Sequence, residues 1–119
     1  MPIANRHWTF SSLVVSGAPT EPGVYALFED EEIVYYGCAQ QGSTIQSALN
    51  ELLTRVRSGQ GGCLQHVNRY TWEISYRPRL REAQLLREYE TANQRAPRCN
   101  EPALSQPQDR QAVGQRRLP

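Results

Sequence analysis

Two short apolar runs that flank an acidic tetrapeptide constrain the fold of this 119-residue chain more than any other feature. The runs cover residues 24–28 and 33–36, and the sequence between them is Glu-Asp-Glu-Glu. Aromatic and β-branched residues favour strands, whereas a charged cluster favours a solvated turn. The pattern therefore predicts a β-hairpin. Its adjacent antiparallel strands can hold the phenols of Tyr25 and Tyr35 at one site.

Three further segments have the periodicity of regular structure. Residues 69–76 alternate between large apolar and polar side chains, which predicts a strand with one buried face. Apolar residues at helical spacing predict a helix that Ser43 or Thr44 caps and that runs to about Arg57. A last helix is predicted over residues 79–93, because Pro78 suits a helix start. The predicted class is α+β, with a small three-stranded antiparallel β-sheet flanked by α-helices.

The length permits one domain with a modest core. We assign residues 22–101 to that domain, residues 1–21 to a lead-in that packs on the core, and residues 102–119 to a disordered tail. No apolar run reaches the ~20 residues that a membrane span needs, and no export signal is visible. The three cysteines have wide, irregular spacing. We interpret them as reduced thiols of a cytoplasmic protein without a membrane partner.

Charge is unevenly distributed along the chain. Residues 1–32 carry one arginine and five acidic residues, a balance of −4, and residues 33–119 carry twelve arginines and seven acidic residues, a balance of +5. Lysine is absent, so every basic side chain is a guanidinium, which suits bidentate contact with phosphate. Biased codon usage explains the missing lysine equally well. The asymmetry fits a nucleic-acid partner, and we expect that partner to be DNA.

Two motifs in the order and spacing of a known family carry the functional interpretation. The tripeptides Gly23-Val24-Tyr25 and Tyr35-Tyr36-Gly37 lie in the predicted hairpin, and a glutamate, Glu88, is followed by the run Pro97-Arg98-Cys99-Asn100. Together they resemble the GIY-YIG nuclease family, with Val24 and Tyr36 in place of the two isoleucines. The resemblance covers most of the chain, roughly residues 22–101.

The resemblance implies metal-dependent hydrolysis of DNA phosphodiesters by a GIY-YIG-type endonuclease. Glu88 takes the place of the glutamate that holds one weakly bound Mg²⁺ or Mn²⁺, and no small-molecule cofactor is implied. Tyr25 and Tyr35 are the candidate catalytic phenols, so we expect both to face one cleft with Glu88. Glu82 is assigned a structural role, because the helix dipole stabilises an acid in the first turn. The candidate substrate-binding residues are Gly37, Gln46, Arg55 and Asn100.

The first helix departs from the family pattern. Ala48 stands at the position of the family's arginine, and Leu52 stands where many members carry histidine. Arg55 shares the flank of Ala48 but lies roughly 10 Å further along the helix. Activity is therefore expected to be impaired. The alternatives are a catalytically inactive GIY-YIG-fold protein that binds nucleic acid or a protein partner, and a small interaction module that uses the fold only as a scaffold.

Weaker candidates complete the sequence interpretation. Cys63 and His66 have the spacing of one ligand pair of a zinc site, but no second pair lies nearby in the sequence. Three arginines at positions 77, 79 and 81 can contact phosphate or form a solvated face. An aromatic stripe can stack on bases, although this spacing is more often core. The stripe consists of Tyr70, Trp72 and Tyr76.

Overall fold

A computed structural model describes residues 6–100 of the protein. In this part of the chain, a four-stranded antiparallel sheet with strand order β1-β4-β2-β3 carries helices on both faces. The predicted tail, residues 102–119, lies outside the described residues, as do residues 1–5 and 101. The strands are β1 (Trp8–Thr9), β2 (Gly23–Glu29), β3 (Glu32–Ala39) and β4 (Arg69–Ile74). The helices are α1 (Ser12–Val15), α2 (Ile45–Arg57) and α3 (Pro78–Asn93), and two short 3₁₀ segments cover Gly62–Leu64 and Arg98–Asn100.

The predicted hairpin is confirmed. Strands β2 and β3 pair in antiparallel register, with Tyr25 opposite Gly37 and Leu27 opposite Tyr35. Asp30 adopts a left-handed conformation, φ 56°, in the acidic turn, as short Asp and Asn side chains tolerate. Its backbone N–H donates to the Asn68 side chain at 2.9 Å. Strand β3 comes last in the strand order and pairs only with β2, so it is an edge strand of the sheet.

The expected three strands are corrected to four. The additional strand, β1, has only two residues and pairs with β4 at the opposite edge. Such a short segment shows no alternation that a sequence pattern could reveal. The ring of Trp8 stacks on that of Trp72, with centroids 5.5 Å apart. The lead-in therefore contributes to the sheet, and the α+β class is confirmed.

The two faces of the sheet have different partners. Helix α2 covers one face with the buried residues Ile45, Leu49 and Leu53, and its start is capped by Thr44, whose hydroxyl accepts from the Ser47 backbone N–H at 2.9 Å. Helix α3 covers the other face through Leu85. Side chains alternate along a strand, so β2 serves both layers. Tyr25 and Leu27 face α2, whereas Val24, Ala26 and Phe28 face α3.

The two helix predictions are confirmed at their ends. Helix α2 ends at Arg57, and α3 begins at Pro78, one residue before the expected start, and ends at Asn93. Strand β4 ends at Ile74, two residues before the expected end, because the chain turns into α3. None of the helices among residues 6–100 is long and apolar enough to cross a membrane.

The side chain of Asn100 attaches the C-terminal 3₁₀ segment to the sheet edge. Its Oδ1 accepts from the Tyr36 backbone N–H at 2.8 Å, and its Nδ2 donates to the Tyr36 carbonyl at 2.9 Å. Asn100 therefore satisfies both backbone groups of one residue in edge strand β3, much as a neighbouring strand would do. This contact occupies the amide that the resemblance assigned to substrate.

We expect Asn100→Ala to lower the free energy of unfolding by about 1–3 kcal/mol, because Tyr36 loses two hydrogen bonds in a half-buried setting. Urea denaturation followed by circular dichroism measures the change. The matched control is Asn50→Ala on the exposed face of α2, where a change within about ±0.5 kcal/mol is expected. Equal stability of the two variants would contradict the role assigned to Asn100.

A disulfide joins Cys63 and Cys99, whose Cα atoms lie 5.7 Å apart. The expectation of three reduced thiols is therefore wrong for this pair, and Cys38 is the free cysteine. A separation of 36 residues gave no sequence pattern for the pairing. The pairing forms only in the folded chain, where the Arg98–Asn100 segment lies next to the Gly62–Leu64 segment. The bond also excludes the zinc site considered for Cys63 and His66, because the sulfur is not available as a thiolate ligand.

We expect loss of this disulfide to lower the free energy of unfolding by about 2–4 kcal/mol, since the bond closes a long loop in the unfolded chain. Urea denaturation of the wild type with and without dithiothreitol measures the change. The Cys63→Ala/Cys99→Ala variant is the control and should not respond to the reductant. If dithiothreitol leaves the wild-type midpoint unchanged while mass spectrometry shows free thiols, the bond contributes no stability.

Candidate functional site

The two phenols predicted to meet do so beneath α2. The ring centroids of Tyr25 and Tyr35 lie 6.3 Å apart, with an angle of 41° between the ring planes. Tyr25 is buried, with 6% of its surface exposed, whereas Tyr35 is half-buried. The pair results from the hairpin register, because Tyr35 lies diagonally across from Tyr25 on the same sheet face.

Gly37 makes room for the ring of Tyr25. A Cβ atom at this position would lie 2.5 Å from the phenolic Cζ and Oη atoms of Tyr25, which stands directly opposite on β2. A side chain there would therefore displace the phenol. The structure gives Gly37 this packing role, and the contact with substrate that we expected from the sequence stays a prediction.

Both phenols line a cavity of about 390 Å³ between the hairpin and α2. The predicted positions Ala48, Leu52 and Arg55 line the same cavity. Ala48 is therefore at the cavity wall, as the alignment with the family pattern predicted. The other lining residues are Cys38, Ala39, Gln40, Ser43 and Glu51.

A carboxylate from the second turn of α3, Glu82, forms a hydrogen bond with Cys38 at the wall of this cavity. Burial is the largest cause that raises the pKa of Tyr25 and of Tyr35, and the charge of Glu82 raises both further. Burial, the charge of Glu82 and a hydrogen bond with it also raise the pKa of the Cys38 thiol to about 11. The sequence interpretation gave Glu82 only a structural role. Its position beside Cys38 makes it the α3 carboxylate of this site.

A second carboxylate and a guanidinium complete the charged groups of the cavity. Glu51 on α2 also raises the pKa of Tyr25. Arg55, one turn further along α2, lowers the pKa of Tyr35, although burial outweighs this effect. Both phenols therefore keep their protons at neutral pH and can donate hydrogen bonds. Of the predicted substrate-binding residues, Gly37 packs against Tyr25 and Arg55 lines the cavity of both phenols.

Glu88 does not share this cavity, contrary to our expectation. It is exposed on α3 and lines a separate groove of about 620 Å³ with Gln84, Arg87, Thr91 and Ala92. Burial first, and then the charge of Glu88, raise the pKa of Tyr36, whose ring lies on the opposite face of the sheet from Tyr25. Six helical residues separate Glu82 from Glu88, which is a rotation of about 240°. The two carboxylates therefore point in different directions, and the prediction of one cleft is wrong for Glu88.

Gln46 ties α2 to the N-terminal segment. Its Nε2 donates to the Ser16 carbonyl at 2.7 Å and lies 3.4 Å from the Ala18 carbonyl. The two bonds hold the start of α2 against the turn that follows α1. Gln46 is therefore engaged in a structural contact away from the phenols, as Asn100 is at the edge of β3.

The fit of a metal ion depends on the oxygen donors at the cavity. Among residues 6–100, no three side chains of His, Cys, Asp or Glu come together as a metal cage. Mg²⁺ commonly uses one or two carboxylates and completes its shell with water and phosphate oxygens. Glu51 at the cavity wall and Glu82 beside Cys38 match that donor chemistry. They fit a hydrated, weakly held ion that depends on the substrate.

The comparisons with known proteins give no relative. Protein-family models, curated proteins and solved structures yield no match to this chain. The geometry of the cavity and the motifs in the sequence therefore carry the functional proposal.

Proposed function

We propose that this chain is a metal-dependent DNA phosphodiesterase of GIY-YIG type, whose active site is the cavity beneath α2. The observation that carries the proposal is the cavity itself, which Tyr25, Tyr35 and Arg55 line. The charge of the Glu82 carboxylate adds to burial in raising the pKa of both phenols. Two phenols, a guanidinium and an acid are groups that phosphodiester hydrolysis can use. Glu82 replaces Glu88 in this assignment because it is the carboxylate on α3 that acts on both phenols.

Each group has a role that follows from its charge and proton. Arg55 is permanently charged and offsets the negative charge of the phosphate. Tyr35 is half-buried at the cavity wall, so its hydroxyl can donate a hydrogen bond to a phosphate oxygen. Tyr25 lies deeper and positions Tyr35 through ring contact. Their raised pKa values make both phenols proton donors in the ligand-free protein and oppose a role as base.

A divalent ion fits this proposal at the two carboxylates. Glu82, assisted by Glu51, would hold a hydrated Mg²⁺ or Mn²⁺. Such an ion supplies charge stabilisation at the phosphate and lowers the pKa of a bound water. A DNA substrate implies the cytoplasm as location, as we expected. Disulfides are rare in that compartment, so the Cys63–Cys99 bond would have to persist against reduction there.

The alternative is a catalytically inactive relative of such nucleases that binds nucleic acid or a protein. The observation that favours it is the apolar character of α2 at the cavity. Ala48 stands there in place of the family's arginine, and Leu52 stands where many members carry histidine. Without a second cation at the wall, the cavity has Arg55 alone to bind phosphate. This arrangement predicts binding with little or no turnover.

Nicking of supercoiled plasmid distinguishes the two functions. The proposed function predicts relaxed plasmid in Mg²⁺ or Mn²⁺ and none in excess EDTA. Gel-shift binding to the same plasmid in EDTA is measured in parallel. Binding without nicking in either metal would support the inactive alternative, and absence of both would contradict any role on DNA.

A further inference from the structure

We propose that an exposed surface next to the cavity binds an unpaired nucleic-acid strand and directs it toward the phenols. We call it the Tyr76 surface; it consists of Gln41, Tyr76, Arg77, Arg79 and Leu80. The identity of the ligand as nucleic acid rests on the proposed function, whereas the preference for an unpaired strand rests on the contacts described below.

The Tyr76 surface presents apolar area to solvent where the sheet has ended. Tyr76 is 62% exposed and Leu80 is 53% exposed, although both are large apolar residues. Tyr70 and Trp72 of the same aromatic stripe are instead packed against the core beside Trp8. Tyr76 follows the end of β4, and its carbonyl accepts a hydrogen bond from Gln41 Nε2 at 3.3 Å. Its backbone is held while its ring remains accessible for stacking.

The charge of this surface suits phosphate. Arg77 and Arg79 are exposed, and neither forms an ion pair with another residue in the range 6–100. The neighbouring Arg81 differs, because it is paired with the carboxylate of Glu73. Its Nε donates to Glu73 Oε2 at 2.8 Å, and its Nη2 donates to Glu73 Oε1 at 3.1 Å. Both guanidiniums of the surface line a cavity of about 340 Å³ that contains no acidic side chain among its lining residues.

The Tyr76 surface and the phenol cavity are neighbours. Gln40 lines the cavity of Arg77 and Arg79 and also the cavity of Tyr25 and Tyr35. Arg79 lowers the pKa of the Cys38 thiol at the wall of the phenol cavity. A strand that contacts Arg77 and Arg79 can therefore continue past Gln40 toward Tyr35.

The combination of one exposed ring with two guanidiniums favours an unpaired strand over a duplex. Stacking on Tyr76 needs a base with a free face, which bases within a duplex lack. The arginines contact the backbone of either form. An acidic protein partner would use the two charges without needing the ring, so the contribution of the ring separates these ligands.

Fluorescence anisotropy with the full chain tests the surface in EDTA, so that binding is measured without any cleavage. The probes are a labelled single-stranded DNA, its duplex of equal length and labelled poly-glutamate. We expect Tyr76→Leu to weaken single-strand binding by about 5- to 100-fold, as loss of one stacked base predicts, and to leave duplex binding unchanged. Arg77→Gln/Arg79→Gln should reduce the slope of log affinity against log salt by about 1.4.

Arg57→Gln is the control, because Arg57 is exposed at the C-terminal end of α2 and its substitution removes one of the two charges that Arg77→Gln/Arg79→Gln removes. It should leave single-strand affinity close to that of the wild type. Poly-glutamate binding as tight as single-strand binding, or a Tyr76→Leu variant with wild-type affinity, would overturn the proposal. Since these measurements contain no metal, single-strand binding that depends on Tyr76 would support the surface even if plasmid nicking fails.

Discussion

The Glu82→Gln variant is expected to cleave DNA at least about 10²-fold more slowly than the wild type. Removing one preorganised charge from an active site costs a rate factor of about 10²–10³. The glutamine side chain would also lower the affinity of the site for a divalent ion, because it has no charge. Glutamine keeps the size of the side chain, so packing against Cys38 is retained. Nicking rates at saturating protein, in Mg²⁺ and in Mn²⁺, measure the effect.

Glu88→Gln is the matched control for this prediction. It makes the same chemical change six residues later on the same helix, in the separate groove of α3. We expect its nicking rate to equal that of the wild type. The reverse result, with Glu88→Gln inactive and Glu82→Gln active, would show that the family motif identified the correct glutamate and that the cavity beneath α2 is not the active site.

Ala48→Arg is expected to raise cleavage by about 10²-fold or more. Ala48 is half-buried at the wall of the phenol cavity, where the family pattern places an arginine. A guanidinium there would add a second cation beside Arg55 for the charge that develops on the phosphate. Stability should change by no more than about 0.5 kcal/mol, because the position is at the edge of the core. Plasmid nicking and urea denaturation measure the two quantities.

Two further variants make the Ala48 prediction specific. Asn50→Arg adds the same charge on the exposed side of α2, outside the cavity, and should not raise the rate. Glu82→Gln/Ala48→Arg should remain as slow as Glu82→Gln, because an arginine cannot replace a metal-holding carboxylate. If Ala48→Arg stays at the wild-type level while DNA binding is retained, the inactive alternative is supported. If Arg55→Ala abolishes wild-type cleavage, Arg55 is already the phosphate-binding cation.

Local patterns were sufficient for most elements of the fold. The hairpin, α2 with a cap at Ser43 or Thr44, and α3 from about Pro78 were all predicted, because each depends on residues that are close in the chain. Strand β1 was missed because two residues have no period.

The candidate site was predictable only in part, for a related reason. The pairing of Tyr25 with Tyr35 and the position of Ala48 follow from a hairpin register and one helix, so motifs reveal them. The choice between Glu82 and Glu88 depends on which side of α3 faces the edge of β3. That orientation is determined by Leu85 packing against the sheet, a contact distant in sequence.

The amino-acid sequence by itself determined the α+β class, the hairpin and its two phenols, since these depend on alternation, helical spacing and turn residues within short segments. Only the tertiary structure decided the fourth strand, the Cys63–Cys99 bond, the attachment of Asn100 to Tyr36, and the hydrogen bond between Glu82 and Cys38. Each of these joins segments far apart in the chain. Their contacts depend on how the helices pack across the sheet, which local patterns do not encode.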